Sequence, residues 1–106
     1  MLFVPLLVCA QEPLKDDELA ARLKEKSFAF PAEGGRSATL EFKGGVVHRH
    51  IVNPNGKIIN DSGPWRVKGA AFCVTYAQGE QCNQVRVAGS GLEVMRRGQW
   101  VEFRQR

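Results

Sequence analysis

The spacing of apolar residues changes near Phe28, from a helical period before it to a strand period after it. Within residues 14–26, Leu19, Ala20 and Leu23 recur at helical spacing, with acidic residues near the start of the segment and lysines at its end. This arrangement is typical of a short amphipathic helix that is aligned with its dipole. We therefore predict an N-terminal helix over about residues 14–26, packed across the open side or one end of a sheet.

After Phe28, short runs rich in Val, Ile, Phe and Trp are separated by turns, each of which contains glycine. The predicted turns are Lys43-Gly44-Gly45, Pro54-Asn55-Gly56, Asp61-Ser62-Gly63, Lys68-Gly69, Gln78-Gly79, Gly89-Ser90-Gly91 and Arg97-Gly98. Connections this short allow antiparallel pairing but exclude parallel pairing, which needs long crossovers. We predict a mainly β fold, an antiparallel meander of about eight short strands that forms a strongly curved sheet or a small up-and-down barrel.

The hairpin around Pro54-Asn55-Gly56 has the best-defined register. Proline presets the first turn position and glycine accepts a left-handed conformation, so Asn53 is predicted to pair with Lys57 and Arg49 with Asp61. Residues 48, 50 and 52 then share one face and residues 47, 49 and 51 the other. Neither set is wholly apolar, so the pattern leaves open which face is buried.

A second hairpin brings two cysteines opposite each other. A four-residue loop from Tyr76 to Gly79 places Cys73 and Cys82 across the predicted ladder. An even pair of cysteines in an exported domain is typical of a disulfide. A redox or zinc site is the alternative, but the pair lacks Cys-x-x-Cys spacing and the four ligands of structural zinc.

The first ten residues are uncharged and almost wholly apolar, and the chain becomes polar from Gln11 onward. Val8 and Ala10 precede this break in the pattern that signal peptidase recognises, and the run is too short to span a bilayer. We predict a signal peptide over residues 1–10, a single mature domain over 11–106, no transmembrane span, and a periplasmic or secreted location. An apolar strand kept in the fold is one alternative, because no basic residue precedes the run. A lipid anchor at Cys9 is another, although Val8 departs from the small residue expected there.

The segment Gly63-Pro64-Trp65-Arg66-Val67-Lys68-Gly69-Ala70-Ala71-Phe72-Cys73-Val74, followed by Cys82-Asn83-Gln84-Val85, resembles a pattern found in small exported proteobacterial domains of unknown function. In those domains, a Gly-x-Trp strand leads into a strand that contains cysteine, and a second cysteine closes the hairpin. The resemblance covers about half of the mature chain. It implies an exported location and a scaffold, and it carries no catalytic residue across.

Basic residues outnumber acidic ones by 15 to 11, which gives a net charge of +4 and a pI near 9.3. They are scattered through strands and turns rather than gathered in the stripe that a phosphate backbone needs, so no nucleic-acid partner is predicted. The C-terminal hairpin is the exception, because Arg96, Arg97, Arg104 and Arg106 give it a local positive end. In an exported protein, such charge favours solubility or an acidic envelope partner.

His48 and His50 are the candidate metal ligands. They are the only histidines, and alternate positions on a strand place both imidazoles on one face. A zinc site usually has at least three protein ligands, and the predicted cross-strand neighbours Asn60 and Ser62 are poor ones. Two half-exposed strand histidines are the simpler interpretation, and no cofactor is predicted.

No group of residues in the sequence predicts catalysis. Ser37, Ser62 and Ser90 lie near glycine in turn-like surroundings, without the strand-to-helix elbow of a nucleophile. The carboxylates that glycoside hydrolysis would use alternate with apolar residues on strands, as solvated positions do: Glu41, Asp61, Glu93 and Glu102. The aromatic residues fit either core packing or a surface for ligand stacking: Trp65, Phe72, Tyr76, Trp100 and Phe103.

These observations predict a non-catalytic exported protein that binds an unidentified envelope protein or ligand, or acts as an accessory subunit. A small barrel that binds a small molecule or a metal is the alternative function. A small hydrolase ranks third, because no nucleophile with its base is evident.

Overall fold

In the computed structural model of the chain, the described residues are 14–106. The predicted signal peptide, residues 1–10, and the candidate lipid site Cys9 lie outside them. Within residues 14–106, no helix has the length and apolar character needed to cross a membrane.

One α-helix and eight antiparallel strands make up the described fold. Helix α1 spans Asp16–Leu23, and a 3₁₀ turn, Glu33–Gly35, joins the first two strands. The strands are β1 Ser27–Pro31, β2 Ser37–Lys43, β3 Val46–Val52, β4 Ile58–Lys68, β5 Ala71–Tyr76, β6 Gly79–Ala88, β7 Gly91–Arg96 and β8 Gln99–Gln105. Each strand pairs with the next, and β8 returns to β1 with Phe28 opposite Gln105, so the sheet closes. The predicted small up-and-down barrel with one helix is confirmed.

Helix α1 is shorter than the predicted range of 14–26. It ends at Leu23 because Lys24 and Glu25 leave the helical region, with ψ of 130° and φ of 60° respectively. Leu19 and Leu23 are fully buried against the core of the barrel. The narrow apolar face of the helix therefore covers one end of the barrel, and the helix does not form a separate layer.

The barrel interior is filled mainly by phenylalanine rings. Phe28 stacks on Phe103 with ring centres 4.5 Å apart, and Phe42 meets Phe72 edge-on at 5.3 Å. Phe72 and Phe103 lie 5.9 Å apart and connect the two pairs. All four rings are buried, as large side chains must be to fill a barrel of only eight strands.

The predicted register of the β3–β4 hairpin is confirmed. Asn53 N–H donates to Lys57 O at 2.9 Å, and Arg49 lies opposite Asp61. The sequence left open which face of β3 is buried. In the structure Val47 is buried, whereas His48 and His50 are exposed. Odd-numbered residues of β3 therefore face the interior.

The predicted turn at Asp61-Ser62-Gly63 is wrong, because β4 runs through it without a break. Gly63 is buried, and a Cβ atom there would collide with the backbone carbonyl of Thr75 on β5. The glycine therefore permits two backbones to approach closely. The number of described strands is still eight, because the 3₁₀ turn, which was not among the predicted turns, separates β1 from β2.

Candidate functional site

The two ends of the barrel differ because successive turns alternate between them. Helix α1 lies at one end, where Asp16 N–H donates to Gly69 O at 2.9 Å. The Gly44 N–H donates at 2.8 Å to Glu25 Oε2, just after the helix. The other end carries the β1–β2, β3–β4, β5–β6 and β7–β8 turns, and no described helix lies across it.

This second end opens into a cavity of about 620 Å³, which we call the mouth cavity. Buried apolar side chains line its inner part: Phe30, Ala38, Leu40, Phe72, Val74 and Val94. More exposed polar side chains line its outer part: Glu33, Arg36, Arg49, Gln78, Gln81, Asn83, Arg96 and Arg97. Four arginines against the carboxylates of Glu33 and Asp61 make the entrance positively charged, while the inner wall is apolar.

On one side of the entrance, Arg49 is fixed by partners on several strands. Its Nε donates to Asp61 Oδ1 at 2.8 Å, and a second nitrogen donates to Oδ2, which makes a two-pronged ion pair. The guanidinium also lies 3.9 Å from the centre of the Tyr76 ring and 3.4 Å from Gln81 Oε1. The hydrogen bonds that it donates to Asp61 raise the pKa of Arg49, so the group stays charged.

On the opposite side, one carboxylate faces three guanidinium groups. Glu33 Oε2 lies 3.1 Å from Arg97 Nε and 3.4 Å from Arg96 Nη2, and Oε1 lies 3.5 Å from Arg36 Nη2. A backbone hydrogen bond at Glu33 contributes most to lowering the pKa of its carboxyl, and the three arginines lower it further against the effect of burial. Glu33 is therefore ionised and acts as the counter-ion of this cluster.

Arg96 connects this charged cluster to the apolar wall. Its guanidinium carbon lies 5.1 Å from the centre of the Phe30 ring, within the range of a cation–π contact. Its Nε is buried and has no hydrogen-bond partner among the described residues. A buried N–H donor without a partner costs free energy, so the position of Arg96 is not set by its own hydrogen bonds alone.

His48 and His50 lie on the outer wall of the barrel, away from the mouth cavity. Both are exposed, and His50 Nδ1 is within hydrogen-bond distance of Asn60 Oδ1. Ser62 lies opposite His48, as predicted. In residues 14–106, neither histidine belongs to a group of three potential metal ligands. The metal role of the two histidines stays a hypothesis without a third ligand in the described fold.

Cys73 and Cys82 form the predicted disulfide and lie directly opposite each other on β5 and β6. Their sulfur atoms and the Glu80 carboxylate form the one cluster of potential metal ligands found among the described residues. Because both sulfurs are in the disulfide, they lack the thiolate that binds a metal. Cys73 is buried, whereas Cys82 is exposed and lines the mouth cavity.

The candidate aromatic surface is divided by the fold. Phe72 and Tyr76 line the mouth cavity, and Phe103 belongs to the core. Trp65 packs edge-on against Phe42 at 4.9 Å, and Trp100 lies beneath the Arg86 guanidinium at 4.2 Å. The five aromatic residues therefore do not form one stacking surface.

The predicted positive end of the C-terminal hairpin is also divided. Arg96 and Arg97 lie at the mouth, whereas Arg104 lines a smaller cavity of about 420 Å³ at the helix end. Strand β8 runs from the mouth to the helix end and so separates the two groups of arginines.

Sequence reasoning missed the roles of Glu33, Arg36 and Arg49. Arg49 could have been found from its position, because it alternates with Val47 and Ile51 on the inward face of β3. A charged residue among inward-facing apolar positions of a strand is a signal of a polar site inside the barrel. Glu33 and Arg36 lie in a turn and carry no such periodic signal.

Comparison with protein families, curated proteins and solved structures finds no significant match to this chain.

Proposed function

We propose that this protein is a non-catalytic, exported binding protein that holds a small ligand with an apolar body in the mouth cavity. The observation that carries the proposal is the cavity itself, about 620 Å³ in volume with an apolar inner wall and a polar entrance. Small-molecule sites are typically concave and about 300–1,000 Å³ in volume, with polar groups that orient the ligand. In this cavity the accessible lining is mostly polar, and the apolar contacts lie at its inner wall. The disulfide supports an oxidising compartment such as the periplasm or the cell exterior.

The polar groups around the mouth support binding rather than catalysis. They are guanidinium groups, amides, one carboxylate that is already paired, and the Tyr76 hydroxyl. Among residues 14–106, the cavity lining contains no serine, and its one cysteine, Cys82, is in the disulfide. The histidines, which most often act as general bases, lie on the outer wall.

The test uses N-phenyl-1-naphthylamine, a neutral apolar fluorophore whose emission rises when it leaves water. We expect saturable binding of one fluorophore per chain. Ala38→Leu should weaken this binding, because Ala38 lines the mouth cavity and a larger side chain fills it. Ala88→Leu is the matched control, since Ala88 lines the smaller cavity at the helix end. Absence of saturable binding, or equal loss in the two folded variants, would contradict the proposal.

A second candidate function, binding of an envelope protein, is favoured by the exposed tip of the β3–β4 hairpin. Val52, Ile58 and Ile59 are the exposed large apolar residues of the described chain, at 37%, 58% and 41% of full exposure. The pairing of β4 with β5 begins only at Trp65, so the first half of β4 has one paired edge. Unpaired strand edges readily accept another strand.

Chemical cross-linking in the envelope of the native host separates the two functions. If a protein partner docks on the hairpin, a specific adduct should form with the wild type and with Ala38→Leu, and it should disappear with Ile58→Lys. An adduct that persists in Ile58→Lys would exclude the hairpin as the docking surface.

A further inference from the structure

The cluster around Glu33 resembles a carboxylate-binding site that the protein has filled with its own side chain. Three arginines from two turns of the mouth, Arg36 at β1–β2 and Arg96 and Arg97 at β7–β8, converge on one carboxylate. Guanidinium groups present five N–H donors each and match carboxylates in shape and charge. The two oxygen atoms of Glu33 cannot use this many donors, and within residues 14–106 the buried Nε of Arg96 has no hydrogen-bond partner.

The carboxylate of Glu33 can leave the cluster without breaking the sheet. Glu33 lies in the 3₁₀ turn, outside the ladder that pairs β1 with β2 up to Pro31 and Ser37. About a third of its side chain is exposed, at 32%. Rotation of this side chain would therefore place the displaced carboxylate directly in water.

Arg96 is better placed than Arg49 to receive a ligand. Arg49 already holds Asp61 through two hydrogen bonds, and it touches Gln81 as well. Arg96 holds its counter-ion at 3.4 Å through one nitrogen, and it lies against Phe30, which belongs to the apolar wall. A ligand with its charge on Arg96 would thus have its body beside Phe30.

We propose that the ligand of the mouth cavity is an amphipathic carboxylic acid, whose carboxylate replaces that of Glu33 on Arg96 and its two neighbouring arginines. The apolar part of the ligand then packs against Phe30, Phe72 and Val94 on the inner wall. Glu33 acts as an internal competitor that occupies the three arginines while the cavity is empty. This inference rests on the proposed function, because it names the chemical class of the ligand for the same cavity.

The test compares octanoate with octan-1-ol as competitors of bound N-phenyl-1-naphthylamine near pH 7. The two molecules share an eight-carbon chain and differ in the charge of the head group. We expect octanoate to bind about tenfold more tightly than the alcohol, as a charge-assisted hydrogen bond would provide. Arg96→Gln should abolish this preference and leave the alcohol unaffected.

Glu33→Gln gives the sharper result, because it removes the competitor and leaves all three arginines. We expect this variant to bind octanoate about fivefold more tightly than the wild type, with no change for octan-1-ol. The gain distinguishes the inference from a merely structural ion pair, whose loss would lower stability without raising affinity.

The chain provides a matched control pair on its outer wall. Arg86 donates to Glu93 Oε1 at 2.8 Å and covers Trp100, as Arg96 covers Phe30. Glu93→Gln and Arg86→Gln should leave the preference for octanoate unchanged. Equal binding of octanoate and octan-1-ol by the wild type, or no gain in Glu33→Gln, would overturn the inference. Failure of the fluorophore itself to bind would instead overturn the proposed function.

Discussion

The guanidinium of Arg49 covers the ring of Tyr76 at a distance of 3.9 Å from its centre. The two residues lie on β3 and β5, which are not neighbours in the sheet. Asp61 on the intervening strand β4 holds the guanidinium in place. Contacts between side chains thus join three consecutive strands at the entrance of the barrel. They do so beyond the β4–β5 ladder, whose pairing begins at Trp65 and Val74.

Tyr76 should ionise at an unusually high pH. Burial raises the pKa of its hydroxyl above the usual 10.0, and the positive charge of Arg49 opposes this effect only in part. The folded protein therefore holds this proton more tightly than the unfolded chain, which loses it first as the pH rises. We expect the free energy of unfolding to decline as the pH rises above about 10, toward the raised pKa.

This titration can be measured directly because Tyr76 is the single tyrosine of the chain. The ultraviolet absorbance of tyrosinate should give a midpoint above 10.0 in the folded protein. Tyr76→Phe should flatten the alkaline decline in stability. A midpoint at or below the usual value would contradict the effect of burial.

The ion pair of Arg49 with Asp61 should contribute more to stability than the pair of Arg66 with Glu80. Side chains of the first pair are 16% and 27% exposed, against 58% and 36% for the second. We expect Asp61→Asn to lower the free energy of unfolding by about 1–2 kcal/mol, because Arg49 loses the negative charge of its partner and one of two acceptor oxygens, which an NH₂ donor replaces. Glu80→Gln should have no measurable effect, since water screens an exposed pair. Urea denaturation compares the two variants, and equal losses would refute the distinction.

Gly63→Ala should destabilise the barrel by about 3 kcal/mol, because the added Cβ collides with a backbone carbonyl that cannot move freely. Gly91→Ala is a suitable control, since the nearest atom to its Cβ would be Ala88 O at 4.0 Å. We expect that control to stay within about 0.5 kcal/mol of the wild type. Similar stability of the two variants, measured by thermal unfolding, would mean that β4 and β5 separate without cost.

The disulfide should stabilise the domain by about 2.5 kcal/mol, on the loop-entropy model for a closed loop of this size. Its cysteines are nine residues apart and staple β5 to β6. Replacement of both by alanine, or reduction of the wild type, should lower the midpoint of urea denaturation accordingly. Coincident unfolding curves for the oxidised and reduced proteins would show that the disulfide does not stabilise the domain by lowering the conformational entropy of the unfolded chain.

Local features of the fold could be predicted from the sequence because they depend on residues close together in the chain. The β3–β4 register follows from Pro54 and Gly56, and the opposition of Cys73 and Cys82 follows from the length of one loop. The prediction of a turn at Gly63 is wrong because a glycine in a turn and a glycine that permits two strands to approach closely can have the same neighbours in sequence. Only the position of Thr75 on the neighbouring strand distinguishes the two.

Closure and the candidate site depend on contacts that no local pattern encodes. The pairing of Phe28 with Gln105 joins opposite ends of the described chain, and neither strand carries a signal for its distant partner. Likewise, Glu33 and Arg96 meet only because the β1–β2 and β7–β8 turns lie at the same end of a closed barrel. Their individual positions predict a turn acid and a strand-end base, without indicating that they touch.

The β1–β8 pairing also determines when the domain can become complete during its synthesis. Phe28 pairs with Gln105, which is synthesised near the end of the barrel. The hydrogen-bonding groups on one edge of β1 therefore stay unpaired until almost all of the barrel has left the ribosome. Until then, the exposed edge of β1 can be held by a chaperone or can pair with another strand. The order of the strands thus delays native closure until the last strand has been synthesised.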